Sequence, residues 1–291
     1  MSEKYLNFLF TFPEIIRFSF VNFYKFFVFL QVMVFSSKKT KRRGGILTIV
    51  DVVLSPNEKL PEGGTWLVVD ILRATSNIVN FFDLGGKEIA LASTIEKARQ
   101  IKKDSLRDWF LAGERNMLPP DDFDMGNSPL EYDKKLLKNH PGMILATTNG
   151  TSALIAASTK GEPVLAACSR NSSAAAKRSL QGKGPVVILC SGRNGRAALD
   201  DILCSGLLVE RILQLSAKPV EVRDGARIAL ELWNNCGNDL YEGIKKSDHA
   251  RLLEDAGMVD DILFCCEIDK TEKVPRLVSK GDLSSLRIDS E

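Results

Sequence analysis

The chain has 291 residues, of which 44% are hydrophobic and 26% are charged, a composition typical of globular proteins and not of disordered or fibrous ones. Residues 1–43 contain eight Lys or Arg and two Glu, a net charge of +6, which leaves −4 of the total +2 for residues 44–291. An acidic body argues against nucleic-acid binding. Six cysteines without a Cys-x-x-Cys spacing argue against a secreted disulfide scaffold, and only two histidines argue against a His-rich zinc site, so we expect a reduced, cytoplasmic protein.

The first 43 residues are predicted to lie outside the globular core. Ten of the fifteen phenylalanines fall within residues 1–35, and a polar tract, SSKKTKRRGG, follows at once. Residues 15–35 are long enough to span a membrane, but four polar side chains interrupt them: Arg17, Asn22, Lys25 and Gln31. A membrane anchor with a basic flank and a non-native extension upstream of a start at Met33 both stay open. Membrane contact is expected only if the segment is native, and residues 44–291 are expected to form one domain.

From residue 45 onward, short apolar runs recur that are typical of strands buried on both faces. In chain order they are ILTIVDVV (46–53), TWLVVDIL (65–72), EIALA (88–92), WFLAG (109–113), MILATT (143–148), PVLAA (163–167) and VVILCSG (186–192). Helical patterns lie between them, among them residues 93–103, which Ser93 and Glu96 open as a capping box, and residues 198–215. Beyond about residue 220 the pattern is mainly helical. The prediction is an α/β fold, a three-layer α/β/α sheet with a mainly helical C-terminal portion.

Three segments run from a strand through a short polar turn into a helix: residues 67–79, 143–157 and 186–203. In open α/β sheets such turns lie at the carboxyl edge where ligands bind, and the helix amino terminus favours an anion. The polar residues of these turns could serve only as caps, but caps do not require Arg73 or Arg193 beside them. The long polar loop of residues 112–132 is a further candidate, because loops of this kind are commonly functional.

Arginines together with carboxylates suit metal-assisted hydrolysis of a phosphate ester. Four carboxylates could hold Mg²⁺ through oxygen: Asp70, Glu114, Asp200 and Asp201. The acidic pair at 200 and 201 could instead only interact with a helix dipole. Two other functions stay open. Cys190 and Arg196 have the Cys-x5-Arg spacing of cysteine phosphatases, and a protein that binds a small anion without turning it over would need the same turns.

Five sequence blocks together resemble the 2-phosphosulfolactate phosphatase family. They are VVDILRATSNIV, AGERNMLPPDDFDMGNSP, TTNGTSAL, CSGRNGRAALDD and SDHARLLEDAGMVDDILFCCEIDKTEKVPRLV, in the order of the family and covering about residues 46–280. The resemblance implies Mg²⁺-dependent hydrolysis of 2-phosphosulfolactate to sulfolactate and phosphate, in coenzyme M biosynthesis or related sulfonate metabolism. Its expected partner is therefore a small anionic phosphate ester, with no nucleic acid, while a homo-oligomer stays open.

The resemblance also implies roles for individual residues. Expected catalytic residues are Asp70, Arg193 and Asp201. Expected substrate-binding residues are Arg73, Thr75, Arg115, Asn127, Ser128, Asn149 and Thr151. Expected metal ligands are Asp70, Glu114, Asp200 and Asp201. The chain departs from the family pattern in two places, because the acidic pair is often Glu-Asp and the loop around residues 115–122 is often richer in glycine.

Overall fold

The computed structural model describes residues 47–140, 142–280 and 283–289. The strands are β1 (Thr48–Val53), β2 (Thr65–Val69), β3 (Ile89–Ala92), β4 (Phe110–Gly113), β5 (Met143–Ala146), β6 (Val164–Ala167), β7 (Val186–Cys190), β8 (Val220–Val222), β9 (Arg276–Lys280) and β10 (Leu283–Arg287). The helices are α1 (Ala74–Asp83), α2 (Ile95–Asp104), α3 (Lys134–Asn139), α4 (Gly150–Ser158), α5 (Ser172–Ser179), α6 (Leu199–Leu215), α7 (Asp224–Asn235), α8 (Leu240–Ile244), α9 (Asp248–Asp255) and α10 (Val259–Cys265). All seven predicted apolar runs form strands, β1 to β7.

These strands form one sheet in the order β4-β5-β3-β10-β9-β6-β2-β7-β1-β8. One half, with β6, β2, β7, β1 and β8, is parallel throughout, and the other half pairs β3 and β4 in parallel with β5. The hairpin of β9 and β10 joins the two halves through antiparallel pairs. The carboxyl ends of the parallel strands in each half therefore lie along one edge, where ligand sites are expected.

Helices cover both faces of the sheet because consecutive residues of a strand point to opposite sides. On β2, Leu67 and Val69 pack in one cluster with Leu207 of α6. Trp66 and Val68 pack on the other side with side chains of α1 and α4. All five residues of β2 are buried, as its uninterrupted apolar run predicts. The predicted layered α/β fold is confirmed.

Helix α4 brings the two halves of the sheet together. It follows β5 in the chain, but it packs on β2, β6 and β7 of the other half. The cluster on this side contains Phe110 and Met143 from one half and Trp66 and Leu189 from the other. The turn after β5 therefore lies close to the turns after β2 and β7, although in the sheet four strands lie between β5 and β2 and five between β5 and β7.

The structure corrects one local prediction and adds three strands. The cap of α2 is Thr94 and not Ser93, since Thr94 Oγ1 accepts a hydrogen bond from the main-chain N–H of Lys97 at 3.1 Å. The C-terminal portion is mainly helical from α7 to α10, but β8, β9 and β10 were not predicted. The predicted extension of residues 1–43 lies outside the described residues. Within the described ranges, no helix combines the length and the apolar character needed to cross a membrane.

Candidate active site

A polar cleft lies where the turns after β2, β4, β5 and β7 meet. Its empty volume is about 530 Å³, open to solvent. It is lined by Asp70, Leu72, Arg73, Glu114, Asn116, Met117, Asn127, Thr147, Thr148, Asn149, Arg193, Asn194 and His249. All three turns identified in the sequence contribute to this cleft, and so does the long polar loop.

Asp70 directly follows β2 and lines the bottom of the cleft. Its main-chain N–H donates to Thr75 Oγ1 at 3.1 Å, its main-chain oxygen accepts from the N–H of Thr75 at 2.9 Å, and its Oδ1 accepts from the N–H of Ala74 at 3.2 Å. Thr75 is fully buried, so it holds this turn and does not line the cleft. A Cβ atom on Gly150 would lie 2.8 Å from Asp70 Oδ2, so only glycine allows this close approach to α4.

The carboxyl group of Asp70 is hard to ionise in this position. Burial raises its pKa to about 6 from an ordinary value of 3.8, and the nearby charges of Asp200 and Glu114 act in the same direction. His249 and the main-chain N–H of Ala74 oppose the rise. Burial and the neighbouring carboxylates together therefore disfavour the charged form of Asp70.

Asp201 joins two of the turns and does not itself line the cleft. From the first turn of α6, its Oδ1 accepts from the N–H of Ile71 at 3.0 Å. Its Oδ2 accepts from Ser191 Oγ at 3.0 Å and from the N–H of Gly192 at 2.9 Å. Burial raises the pKa of Asp201 well above its ordinary range, and the charges of Asp200 and Asp70 add to the rise. Asp201 thus ties the turn after β2 to the turn after β7.

One carboxylate oxygen of Asp200 lacks a hydrogen-bond partner in the part of the chain that the structure describes. Its Oδ2 lies 3.3 Å from Nδ1 of His249, while its Oδ1 is buried and has no hydrogen-bond partner among the described residues. His249, in the first turn of α9, reaches the cleft from the C-terminal helical portion. Sequence reasoning did not select this histidine, because a lone His in a helical pattern carries no local signal. Only its place within the last family-like block pointed to it.

Glu114 is engaged in holding the loop after β4. Its Oε1 accepts from the N–H of Thr148 at 2.8 Å and from Thr148 Oγ1 at 2.7 Å, and its Oε2 accepts from the N–H of Met117 at 3.1 Å. Both of its oxygens are therefore used within the protein. Glu114 connects the loop after β4 to the turn after β5.

The four carboxylates predicted as metal ligands do not form a closed cage. No group of three or more His, Cys, Asp or Glu side chains is placed to hold a metal ion within the part of the chain that the structure describes. Hydrogen bonds occupy both oxygens of Glu114 and of Asp201, whereas Asp70 Oδ2 and Asp200 Oδ1 accept none from the described residues. Mg²⁺ usually binds one or two carboxylates together with water and substrate phosphate. Of the four predicted ligands, Asp70 and Asp200 have an oxygen that could meet such an ion without displacing a hydrogen bond of the described residues.

Two arginines stand at the start of similarly built tight turns. Arg115 and Leu118 exchange main-chain hydrogen bonds of 2.9 and 3.3 Å, and Arg193 and Arg196 exchange bonds of 2.9 and 3.0 Å. The two central residues of each turn have positive φ angles, 55° and 72° in the first and 50° and 74° in the second, as in type I′ turns. Among the described residues neither Arg115 nor Arg193 forms an ion pair. Both guanidinium groups are available to an anion.

Arg73 is engaged by the protein itself. Its Nη1 lies 2.5 Å from Asp261 Oδ2 on α10, and its Nη2 donates to the main-chain oxygen of Met117 at 3.1 Å. Ser128 Oγ donates to the other oxygen of Asp261 at 2.6 Å. Arg73 still lines the cleft, but its charge is paired, so its main contribution is to hold the residue 115–118 turn.

The remaining predicted substrate-binding residues divide into two groups. Asn127 lines the cleft and accepts a hydrogen bond from Asn77 Nδ2 at 3.0 Å, whereas Thr151 is buried and bonds only to Thr147, through Oγ1 at 3.0 Å and through its main-chain N–H at 3.1 Å. Asn149 precedes α4, caps it with no side-chain hydrogen bond and lines the cleft. Asn149 and Asn127 can therefore reach a ligand, and Thr151 cannot.

Replacing Asp261 by alanine is expected to weaken both the fold and the cleft. The change leaves Arg73 buried without its partner, which typically costs about 3–5 kcal/mol in the free energy of unfolding. Because Arg73 also holds the turn that begins at Arg115, KM for an anionic substrate should rise more than kcat falls. Urea unfolding and steady-state kinetics measure the two effects. Asp260, an exposed neighbour on α10, provides the control, because Asp260→Ala should change neither the free energy of unfolding nor KM. Equal effects of the two variants would show that Asp261 does not hold Arg73 in place.

Cys190 lies in the protein core and not in the cleft. Its Sγ is buried 3.2 Å from Ser205 Oγ, on the α6 side of β7. Burial raises the pKa of the Cys190 thiol well above its ordinary range, and the charge of Asp201 adds to the rise. Arg196 is exposed. A cysteine phosphatase needs a thiolate beside the phosphoryl group, so the geometry argues against this alternative.

Comparison with known proteins agrees with the family resemblance of the five sequence blocks. The family model described as 2-phosphosulpholactate phosphatase matches residues 51–280. The chain is 38% identical over 212 residues to a probable 2-phosphosulfolactate phosphatase of Caldanaerobacter subterraneus subsp. tengcongensis, with 72% of this chain and 86% of that protein covered. It is 36% identical over 231 residues to proteins of the same name from Thermotoga petrophila and Thermotoga maritima, with 79% of this chain and 96% of each relative covered.

Proposed function

The chain belongs to the 2-phosphosulfolactate phosphatase family, and from this we propose that it hydrolyses 2-phosphosulfolactate to sulfolactate and phosphate with Mg²⁺ as cofactor. As a member of this family it is a phosphoric monoester hydrolase. One observation supports the proposal most strongly. Asp70 lines the same cleft as Arg193, which forms no ion pair among the described residues, and Asp200, with one buried oxygen lacking a hydrogen-bond partner there, contacts the cleft residue His249.

The charges of the cleft suit a substrate with several anionic groups. 2-Phosphosulfolactate carries a phosphate, a sulfonate and a carboxylate. Arg193, which lines the cleft, and Arg115, whose Nη1 lies 3.5 Å from Oγ1 of the cleft residue Thr148, can each donate two parallel hydrogen bonds to such a group. The amino terminus of α4, behind Asn149, adds main-chain N–H groups that its own helix leaves unpaired. The cleft therefore offers separate donors for separate anionic groups.

Asp70 and Asp200 are the residues that would hold Mg²⁺. A buried carboxylate oxygen without a partner, such as Asp200 Oδ1, is unfavourable unless a cation or water satisfies it. When bound, Mg²⁺ supplies positive charge to the phosphoryl oxygens and lowers the pKa of a bound water. Burial raises the pKa of Asp70, and the charges of Asp200 and Glu114 add to the rise, so a bound cation would stabilise the charged form of Asp70.

The other groups of the cleft orient the reactants. Asp70, through Oδ2, would orient the water that attacks phosphorus, and Arg193 would stabilise the negative charge that develops on the phosphoryl oxygens. Asp200 fixes the ring of His249 through Nδ1, which leaves Nε2 as the nitrogen that can hydrogen-bond to the ligand. Asp201 touches no reacting atom in this scheme and keeps the turns carrying Asp70 and Arg193 in register.

A protein that binds a small anion without turning it over would use the same arginines. It would not need carboxylates at the bottom of the cleft. Carboxylates close to a bound anion weaken its binding unless a cation lies between them. Asp70 and Asp200 therefore favour the phosphatase over a sensor or carrier.

Phosphate release from 2-phosphosulfolactate is expected to stop in the presence of a chelator and to return when excess Mg²⁺ is added. The reason is that the two carboxylates alone would repel the phosphoryl group. A colorimetric phosphate assay measures the effect, and a thermal melt in chelator shows that the protein is still folded. Full activity in chelator would contradict the metal mechanism. Thermal stabilisation by esters of which none releases phosphate would support the anion-binding protein instead.

A further inference from the structure

A row of buried polar side chains leads from β5 to Asn127, which lines the cleft. Asn77 of α1 is fully buried, and its Nδ2 donates to Asn127 Oδ1 at 3.0 Å and to the hydroxyl oxygen of Tyr132 at 3.2 Å. The Tyr132 hydroxyl lies 3.4 Å from Sδ of Met143 on β5. Asn77, Tyr132 and Met143 do not line the cleft, so they can affect a ligand only through Asn127.

The hydroxyl group of Tyr132 donates to Met143 and accepts from Asn77. A thioether sulfur can only accept, so the hydroxyl hydrogen points at Met143 Sδ. Burial raises the pKa of Tyr132 above its ordinary value, so the hydroxyl keeps this proton. The Tyr132 ring packs against Phe81 and Phe110, whose ring centroids lie 6.4 and 5.9 Å from its own. The oxygen of Tyr132 is therefore held in place as an acceptor for Asn77.

The acceptor on Tyr132 fixes which end of the Asn77 amide faces Asn127. The single NH₂ group of Asn77 makes both hydrogen bonds, and Oδ1 is buried without a partner among the described residues. In the reversed orientation the Tyr132 hydroxyl would turn to Asn77 Oδ1, and Met143 would lose its donor. Both N–H groups of Asn77 would then be buried without a partner. The observed orientation leaves only one oxygen unpaired, which is the smaller cost in stability.

The amide of Asn127 consequently has one orientation as well. Its Oδ1 accepts from Asn77, so its Nδ2 is the end that is left for a ligand in the cleft. Nδ2 forms no hydrogen bond with the described residues and is not a buried unpaired atom. An NH₂ group donates to an oxygen of an anion, whereas a reversed Asn127 would present an oxygen that repels the anion.

We propose that Asn77 is a positioning residue, which holds the amide of Asn127 with its NH₂ group toward the cleft so that Asn127 donates to an anionic group of the substrate. The inference rests on the proposed phosphatase function and deepens it. Asn77 touches no reacting atom in this role. It removes the unproductive orientation of Asn127 before the ligand binds, and this lowers the entropy cost of binding.

A double-mutant cycle on residues 77 and 127 tests this role, with leucine as an apolar replacement of similar size. KM for 2-phosphosulfolactate should rise at least about tenfold in Asn127→Leu, which removes the donor. It should rise at least about threefold in Asn77→Leu, which leaves the amide of Asn127 free to turn. In both variants kcat should fall less than KM rises. Adding Asn77→Leu to Asn127→Leu should leave KM unchanged, because no amide remains to be oriented.

Asn80→Leu provides the matched control. Asn80 lies one turn further along α1 and is also buried, but its Nδ2 donates to the main-chain oxygen of Pro129 at 2.7 Å. Any effect of Asn80→Leu on KM should therefore be the same with Asn127 present and with Asn127→Leu.

An unchanged KM in Asn77→Leu would overturn the inference, and so would an equal rise of KM in both backgrounds, which is the result of a general structural defect. If circular dichroism shows that Asn77→Leu is unfolded, Asn77→Ala takes its place in the same cycle. If 2-phosphosulfolactate releases no phosphate, the proposed function fails, and the cycle is then read from the Kd of inorganic phosphate by isothermal titration calorimetry. Weaker phosphate binding in Asn77→Leu only while Asn127 is present would still support the role of Asn77. Any other pattern of Kd would overturn it.

Discussion

Asp201→Asn is expected to lower kcat/KM by at least about a hundredfold, although Asp201 does not line the cleft. Both of its oxygens accept main-chain N–H groups, from Ile71 on one side and Gly192 on the other. An asparagine must turn its NH₂ group toward one of these donors, whatever the protonation state of Asp201. An unsatisfied buried donor costs about 1–3 kcal/mol, and 1.4 kcal/mol of transition-state stabilisation is a factor of ten. The turns that carry Asp70 and Arg193 would move apart.

Steady-state kinetics on Asp201→Asn should be accompanied by circular dichroism, to show that the variant is folded. Cys190→Ser is the matched comparison, since it changes one atom of a buried residue on the adjacent strand. We expect Cys190→Ser to keep kcat/KM within about tenfold, because Ser205 offers the new hydroxyl a hydrogen-bond partner. A folded but inactive Cys190→Ser beside an active Asp201→Asn would reverse the mechanism in favour of a cysteine nucleophile.

Asp70→Asn is expected to lower kcat/KM by about a thousandfold or more. It is also expected to stabilise the metal-free protein against unfolding. The activity falls because the cleft loses a negative charge for the cation and an acceptor for the attacking water. Stability rises because the folded-state pKa of Asp70 is about 6, above its ordinary 3.8. A group of this kind contributes stability below about pH 4 that is lost as the pH rises through 6. An asparagine at position 70 still has an oxygen that accepts the main-chain N–H of Ala74, and because it does not ionise, it does not lose stability as the pH rises.

Urea unfolding of the metal-free protein between pH 4 and pH 8 measures the effect on stability. At pH 8 the variant should be more stable by up to about 3 kcal/mol, since one pKa unit corresponds to about 1.4 kcal/mol. At pH 4 the two proteins should differ little. Asp83→Asn makes the same change on an exposed residue of α1 and should have no effect at either pH. A variant of Asp70 that is less stable at pH 8 would show that the site does not concentrate negative charge.

The sequence allowed the general architecture and the position of the cleft to be predicted for a simple physical reason. Strands buried on both faces are continuous apolar runs, and β1 to β7 all have this form. The polar residues that interrupt such a run, as Asp70 does after β2, mark the edge of a parallel sheet. Arg193 and Asn149 were identified in this way, and both line the cleft.

The local pattern could not show which polar residues serve the fold and which face the ligand. Arg73 was predicted to bind substrate, but its partner Asp261 lies 188 residues further along the chain. Thr75 and Thr151 have the residue type of ligand contacts, and yet their hydroxyl groups are used by main-chain atoms a few residues away. His249 reaches the cleft only through the packing of α9. Each of these outcomes depends on long-range packing, which residue spacing does not encode.

The hairpin of β9 and β10 also escaped prediction, because RLVSK and LSSLR alternate only weakly and are short. This hairpin lies in the middle of the sheet, between β6 and β3. During synthesis on the ribosome both strands emerge after every other described strand and helix. Until then the nascent chain holds two separate part-sheets, and β3 and β6 each present an unpaired edge, which is a hazard for aggregation. Completion of the central pairing, and with it the final alignment of the two part-sheets, must therefore be among the last events of folding.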